Sequence, residues 1–552
     1  AGARPVTMPS AAQANVMRRC AALASVVAFP EKGTRITSTM WHEAGAVLQP
    51  SRPGAAPLPP VDTPPHCEIT GLMHERKGVD GQTYAIKFHL RLPDAWNGRF
   101  FMMGGGGSNG ELGDALGRLG GEGQAAITQG YAVLSQDSGH DNATNTVAAR
   151  NGLAAFGFDP QARADYGGVS LAPVVHAARA IVRARYGVTP RKSYFMGCSK
   201  GGQEGMMLAQ RYPDLFDGII AAAPGFALPK AAVAEAWNTQ AFSAVVRASG
   251  QNLTPEALKA SFSDNDFQLV GQAVLNACDK DDGVADGMVS AWRMCTSAKV
   301  QRALSAMTCT GGKNDTCLMP AQVEALRKVN AGTPTYPGFP FDPGWSAPGW
   351  RMWMIGMGPI PAINLAMGAP SLASVFSVPP RALAEGQQAA LDYHMGFDAT
   401  RDAHLLFDHG GGFARSAWAD VGARSPNLDA FRRRGGRLIV PHGLADPVFS
   451  FADTAAWYDA VNARYRGGAE GFVRVFAVPG MNHCGGGPAA DGYDAFAALT
   501  DWVEKGRAPA QMVATAGPAA PWPGRTRLLC AYPRQAFYKG GDVEKASSFA
   551  CR

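Results

Sequence analysis

No apolar run in the sequence approaches the roughly 20 residues that a membrane-spanning helix needs, which excludes a helical span. Internal repeats are absent, as are low-complexity tracts apart from a Pro-rich linker, SRPGAAPLPPVDTPP, at 51–65, so a repeat array is excluded. A concentrated basic surface is also missing. The net charge is +6 over 552 residues and the basic residues are scattered, with only short clusters such as Arg432-Arg433-Arg434, so nothing points to nucleic acid. No cysteines stand at C-x-x-C spacing, which argues against a zinc ribbon. What is present is a globular balance of 46% hydrophobic and 17% charged residues, in a chain long enough for a large catalytic domain plus a second domain. High Gly (66) and Pro (39) contents mean that much of it is loop.

The sequence opens at Ala1 without a hydrophobic signal segment, as expected of a cytosolic chain or of a mature chain after cleavage. The cysteines favour the second. There are ten, several of them flanking loop-like stretches such as TGGKNDT between Cys309 and Cys317. Five disulfides formed in an oxidising compartment are the economical reading, against ten reduced core thiols. A secreted or periplasmic protein is expected.

From about Tyr84 to Gly225, strand-like runs (TYAIKFHLRLP, RFFMM, YAVLSQD, KSYFMG, DGIIAAAPG) alternate with helix-like ones (APVVHAARAIVRARYG, GGQEGMMLAQRYP). Such alternation predicts an α/β fold, a mostly parallel sheet with helices on both faces. After Gly225 the alternation stops, and it resumes at GGRLIVPHGLADP. The expected organisation is a core in two parts, 1–225 and 431–552, with a domain inserted at 226–430.

Gly197-Cys198-Ser199-Lys200-Gly201 is a G-x-S-x-G pattern between a strand and a helix. It reads as the nucleophile elbow of an α/β-hydrolase: a sharp turn lifts the Ser199 hydroxyl above the sheet and aims the next amide, that of Lys200, at a developing oxyanion. The base and its orienting acid should follow in the order Asp, then His. Asp446, in LIVPHGLADP, and His483, in FAVPGMNHCGGG, both lie on loops after strands. Asp453 competes with Asp446 but stands where it would cap the next helix, and His140, His404, His409 and His442 do not meet the required order. A second oxyanion amide is expected from the glycine run after RFFMM, at Gly107 or its neighbour Gly106.

Cys198 adjoins the candidate nucleophile and Cys484 adjoins the candidate base. A bridge between them would lock Ser199 and His483 within reach. The alternative, Cys198 as nucleophile, would place the thiol facing away from the oxyanion site. With G-C-S-x-G-G and a late P-G-M-x-H-C, the chain resembles the tannase and feruloyl esterase family, from Cys20 to Cys551. The resemblance implies an α/β-hydrolase core with a lid inserted after the elbow helix and the following strand. It also implies the pairings Cys20–Cys67, Cys198–Cys484, Cys278–Cys295, Cys309–Cys317 and Cys530–Cys551.

CDKDDGVADGMV crowds Asp279, Asp281, Asp282 and Asp286 into one loop, which suits a hard cation with oxygen ligands, although no Glu stands at the twelfth position of an EF-hand. By resemblance this is a structural Ca²⁺ site in the lid, held by Asp279, Asp282 and Asp286 with the carbonyls of Val284 and Met288. The resemblance also places Trp353 against the substrate's aromatic ring and implies a lid arginine wherever the substrate carries a free carboxylate. From Met354 to Pro380 there is no Arg or Lys; Met354, Met357, Met367 and Phe376 supply apolar surface instead, as pocket lining or as ordinary lid core. Unless Arg351 or Arg415 reaches in, the pocket lacks a carboxylate reader. The expected function is a serine carboxylesterase for small esters of aromatic acids (hydroxycinnamates, gallates or terephthalate-like compounds), acting as a monomer. The rivals are a hydrolase dedicated to a terephthalate half-ester and, from another class, a calcium-stabilised binding protein with a decayed core.

Overall fold

The computed structural model describes residues 8–48, 58–120 and 123–552. Most of the Pro-rich linker, up to residue 57, lies outside the described residues; its end, Val61–Thr63, pairs with Gly45–Val47.

Successive strand residues divide between two apolar layers, as side chains alternating across a pleated sheet must. Phe100 and Met102 join Leu134, Phe195 and Val440 on one side, whereas Phe101 joins Val133, Tyr194, Ile220 and Ile439 on the other. Runs such as RFFMM are therefore continuously apolar because both faces are covered. The sheet has nine strands: β1 (Arg35–His42), β2 (His66–Lys77), β3 (Thr83–Pro93), β4 (Arg99–Met103), β5 (Ala132–Gln136), β6 (Lys192–Cys198), β7 (Gly218–Ala222), β8 (Arg437–Gly443) and β9 (Val473–Val478). Their spatial order is β1-β2-β3-β5-β4-β6-β7-β8-β9. The six strands from β5 to β9 in that order run parallel, and β1 to β3 form an antiparallel flank.

Helices cover both layers. α1 (Ala11–Val26), α2 (Leu171–Tyr186) and α3 (Lys200–Arg211) contribute to the first layer through Leu23, Val174, Ile181 and Met206. After β7 the chain leaves the sheet and returns at β8, its immediate neighbour, so residues 223–436 are an excursion from between adjacent strands. This excursion holds α4 (Leu228–Ala248), α5 (Pro348–Met354), further short helices and two small hairpins around its own core of Phe242, Phe262, Phe267, Trp345 and Trp350. Beyond β8, α6 (Phe451–Arg464) packs Trp457 and Val461 on the first layer, and α7 (Ala495–Lys505) packs Phe496, Leu499 and Trp502 on the second. Among the described residues no helix is long and apolar enough to cross a membrane.

Two parts of this architecture escaped the periodicity analysis. β1 buries none of its residues fully, half being exposed and half partly covered, and shows no clean alternation. The C-terminal segment forms two antiparallel pairs, Gln511–Thr515 with Thr526–Cys530 and Ala536–Tyr538 with Phe549–Cys551, too short to carry a period and joined by Cys530–Cys551. Cys20–Cys67 ties α1 to β2, and Cys278–Cys295 and Cys309–Cys317 close loops in the excursion.

Phe101 lies fully buried with its ring edge-on to Phe496 (5.3 Å) and Tyr131 (6.3 Å). Phe101→Ala is expected to lower the unfolding free energy by about 3–5 kcal/mol, measured by urea titration with the disulfides intact. A loss below about 1 kcal/mol would show that this layer is not a close-packed core.

Candidate active site

Ser199 occupies the single position between β6 and α3, with φ 65° and ψ −119°, a conformation that non-glycine residues rarely adopt. Close backbone packing holds it there. A Cβ on Gly197 would lie 2.5 Å from the Gly201 carbonyl oxygen, and one on Gly201 would lie 2.7 Å from that of Gly105. Only glycine lets the elbow sit so tightly on the glycine-rich loop after β4.

His483 lies on the loop after β9, and Ser199 Oγ–H donates to its Nε2 at 2.7 Å. Asp446, on the loop after β8, accepts from His483 Nδ1–H at 2.9 Å through Oδ2 and lies 3.1 Å from it through Oδ1. The carboxylate is buried and also accepts the Val448 and Phe449 amides at 2.8 and 3.1 Å. Burial alone would raise its pKa, but the attraction of His483 and hydrogen bonds from His442 and His483 overrule burial and hold it well below the usual carboxylate range. Asp453 is engaged elsewhere, by Arg424 at 2.8 Å.

The structure adds a fourth member to this chain. His442, fully buried on β8, places Nε2 3.1 Å from Asp446 Oδ2 and 2.9 Å from the Phe449 carbonyl, while Nδ1 faces Thr454 Oγ1 at 2.9 Å. A carbonyl only accepts, so Nε2 carries the hydrogen, and His442 meets the same Asp446 oxygen, Oδ2, as His483. Sequence reasoning set His442 aside because it precedes the acid; its position four residues before Asp446 is the available signal.

Cys198 and Cys484 are bonded, with their Cα atoms 6.1 Å apart across 286 residues of chain. The bridge joins the residue before the nucleophile to the residue after the base. Beside it, the amides of Lys200, Gly106 and Gly107 donate to no protein group among the described residues, whereas the Gly105 amide is taken by Glu204 Oε2 at 3.1 Å. The Lys200 side chain, 2% exposed, turns away from the nucleophile: Nζ lies 3.3 Å from Glu204 Oε1 and 4.4 Å over the Tyr166 ring. Burial pulls its pKa down, opposed by Glu204. Glu204 Oε1 also accepts Asn109 Nδ2 at 2.8 Å, so this one carboxylate holds the elbow helix and the glycine loop together. Neither Glu204 nor Asn109 carries a sequence signal for that task.

The rings of Trp353 and Phe449 stand edge-on to His483 at 5.6 and 5.5 Å. Met367 comes against the glycine loop, its methyl 3.9 Å from where a Gly107 Cβ would be. Met354 and Phe376 do not line this space. Met354 has no accessible surface and packs in the core of the excursion from its helix, and Phe376, just past the end of a short helix at Ser374, packs with Phe156, Tyr166 and Leu372. Arg351 and Arg415 are committed elsewhere, Arg351 to the Lys259 and Phe262 carbonyls at 2.7 and 2.6 Å and Arg415 to Asp420 at 2.8 Å.

In the acidic loop, Asp279 accepts the Asp286 and Gly287 amides at 3.0 and 3.1 Å, and the Val284 and Met288 amides donate to Asp282 and Asp286 at 3.1 and 3.0 Å. Asp286 pairs with Arg527 from the C-terminal segment. Asp282 is buried and its Oδ2 has no partner. Burial, with Asp286 and Asp279 close by, pushes it up to about 7. An orphaned carboxylate oxygen among crowded acids is the arrangement a hard cation would complete.

Residues 67–552 match the family model described as "Tannase and feruloyl esterase". The chain is 42% identical to a mono(2-hydroxyethyl) terephthalate hydrolase from Piscinibacter sakaiensis, over 95% of this chain and 89% of that protein. It is 28% identical to a probable feruloyl esterase from Arthroderma benhamiae, over 92% and 93% of the two chains. The crystal structure of feruloyl esterase B from Aspergillus oryzae superposes with a TM-score of 0.73 at 21% identity, covering 97% of this chain and all of that one. The α/β-hydrolase fold, the serine–histidine–aspartate chain and these matches identify a carboxylic ester hydrolase that belongs to the tannase and feruloyl esterase family.

Proposed function

We propose that this protein is an exported serine esterase that cleaves esters of aromatic acids through an acyl-enzyme. The observation that carries the reading is the unbroken chain Ser199 Oγ–His483–Asp446, at 2.7 and 2.9 Å, beside unused backbone amides. Ser199 attacks the ester carbonyl as His483 Nε2 takes its proton, and Asp446, still ionised because its pKa is depressed, stabilises the imidazolium. The amides of Lys200 and Gly107 receive the oxyanion. His483 returns the proton to the leaving alcohol, then activates the water that attacks the acyl carbonyl and restores Ser199.

Trp353 and Phe449, beside His483, give flat apolar surface suited to an aromatic ring. The relatives' named activities, on a terephthalate half-ester and on feruloyl esters, support aromatic acids as the acyl part. A half-ester specialist is the second reading, favoured by the 42% identity. The commitment of Arg351 and Arg415 elsewhere favours neutral esters, because neither of these two guanidinium groups is left to pair with a ring carboxylate. Five disulfides and no free cysteine support an oxidising compartment. Asp279, Asp282 and Asp286, with the Val284 and Met288 carbonyls, would hold a Ca²⁺ ion whose role is to neutralise the loop and pin it beneath Arg525 and Arg527.

A fluorophosphonate probe is expected to label the protein and to fail on Ser199→Ala; labelling that survives the substitution would defeat the assignment. Methyl ferulate should be turned over with a higher kcat/KM than the terephthalate half-ester, and a strong preference for the anion would restore the second reading. Opening the central bridge with Cys198→Ser/Cys484→Ser should lower kcat by about 10–100-fold with a smaller effect on KM, since it loosens alignment more than binding. Chelation with EGTA should lower Tm by about 2–5 °C, reversed by added Ca²⁺ and absent in Asp282→Asn.

A further inference from the structure

Glu235, on α4, is 7% exposed and makes no hydrogen bond or ion pair among the described residues. An isolated polar group so placed is costly unless something else completes it. Its carboxyl lies against Gly368, where a Cβ would come within 1.9 Å of Oε2, so the glycine leaves the space that the carboxyl fills. Gly368 follows Met367, whose methyl abuts Gly107 on the oxyanion loop. Glu235 also acts electrostatically on Tyr166, whose pKa is raised by burial and then by Glu204 and Glu235; Tyr166 in turn lies under the ammonium of Lys200. Glu235 is thus linked through Gly368 and Met367 to the loop of Gly107, and through Tyr166 to Lys200.

We infer that Glu235 is the specificity residue of the acyl pocket, hydrogen-bonding a hydroxyl on the aromatic ring of the substrate's acid and disfavouring a ring carboxylate at the same place. This deepens the esterase reading and rests on it. A phenolic hydroxyl both donates and accepts, so it satisfies the carboxyl in either protonation state. Burial raises the Glu235 pKa to about 8, so around neutrality a carboxylic acid awaits the substrate. A ring carboxylate would add a second acid with no cation to balance it, which forces the pair to share one proton. A ring without a polar substituent would leave the acid unpartnered, and sites built to bind a hydroxyl discriminate strongly against such analogues.

The test compares kcat/KM for methyl para-hydroxycinnamate, methyl cinnamate and mono(2-hydroxyethyl) terephthalate in the full chain. The unaltered protein should prefer the hydroxylated ester over the unsubstituted one by at least about 10-fold. In Glu235→Ala, and independently in Gly368→Ala, whose new methyl displaces the carboxyl, that ratio should fall to within about 2-fold of one. Glu235→Gln, which keeps hydrogen-bonding groups but cannot ionise, should retain most of the preference and raise the relative rate on the half-ester. A Ser199-dependent esterase that ignores the hydroxyl, or whose preference survives both alanine variants, overturns this inference and leaves the esterase reading standing. Absence of Ser199-dependent turnover on every ester overturns both.

Discussion

The covalent link between Cys198 and Cys484 decides where the nucleophile and the base can be, and the rest of the site is arranged around that link. β6 and β9 are three strands apart in the sheet, a separation of about 14 Å at ordinary strand spacing. Loops leaving those strands must lean toward each other over β7 and β8 before a serine and a histidine can touch. In many hydrolases packing alone maintains such an approach. Here a bond spanning 286 residues maintains it from directly beside both reacting side chains, and Asp446 enters from β8 between them. The strained backbone of Ser199 is tolerable because the surroundings over-determine it: the bridge on one side, and the contacts of Gly197 and Gly201 on the other.

Buried charge is handled in two opposite ways around this centre. Asp446 is ringed by donors (two amides and two imidazoles), and its pKa falls far below normal although burial acts the other way. Lys200 and Glu204 neutralise each other and hold the glycine loop against the elbow. Glu235 receives no such support, and burial drives its pKa upward. The contrast follows from partners rather than depth, since all of these groups are almost fully buried. A buried carboxyl left without a partner against Gly368 adds nothing to stability, which is why it points to a substrate contact.

The chemistry-bearing residues were legible where chemistry imposes a local pattern. Strand–G-x-S-x-G–helix marks Ser199, and loops after strands in the right order mark Asp446 and His483. His442, Glu204 and Asn109 were not legible, because each acts on a residue from another part of the chain through a side chain that looks ordinary in its own segment. Met354 and Phe376 show the converse: an apolar residue in a lid reads equally as pocket or as core, and both turned out to be core.

Local sequence by itself determined the alternation of strands and helices, the interruption between β7 and β8, and which serine, aspartate and histidine form the hydrogen-bonded chain. These depend on periodicity and on spacing within a few residues, which a linear text records. Tertiary structure alone decided the antiparallel flank, the docking of the C-terminal pairs on the acidic loop, and the burial of Glu235 against Gly368. Those outcomes turn on which distant side chains share a small volume, as when the absent Cβ of Gly368 makes room for a carboxyl from α4, and no local pattern encodes that meeting.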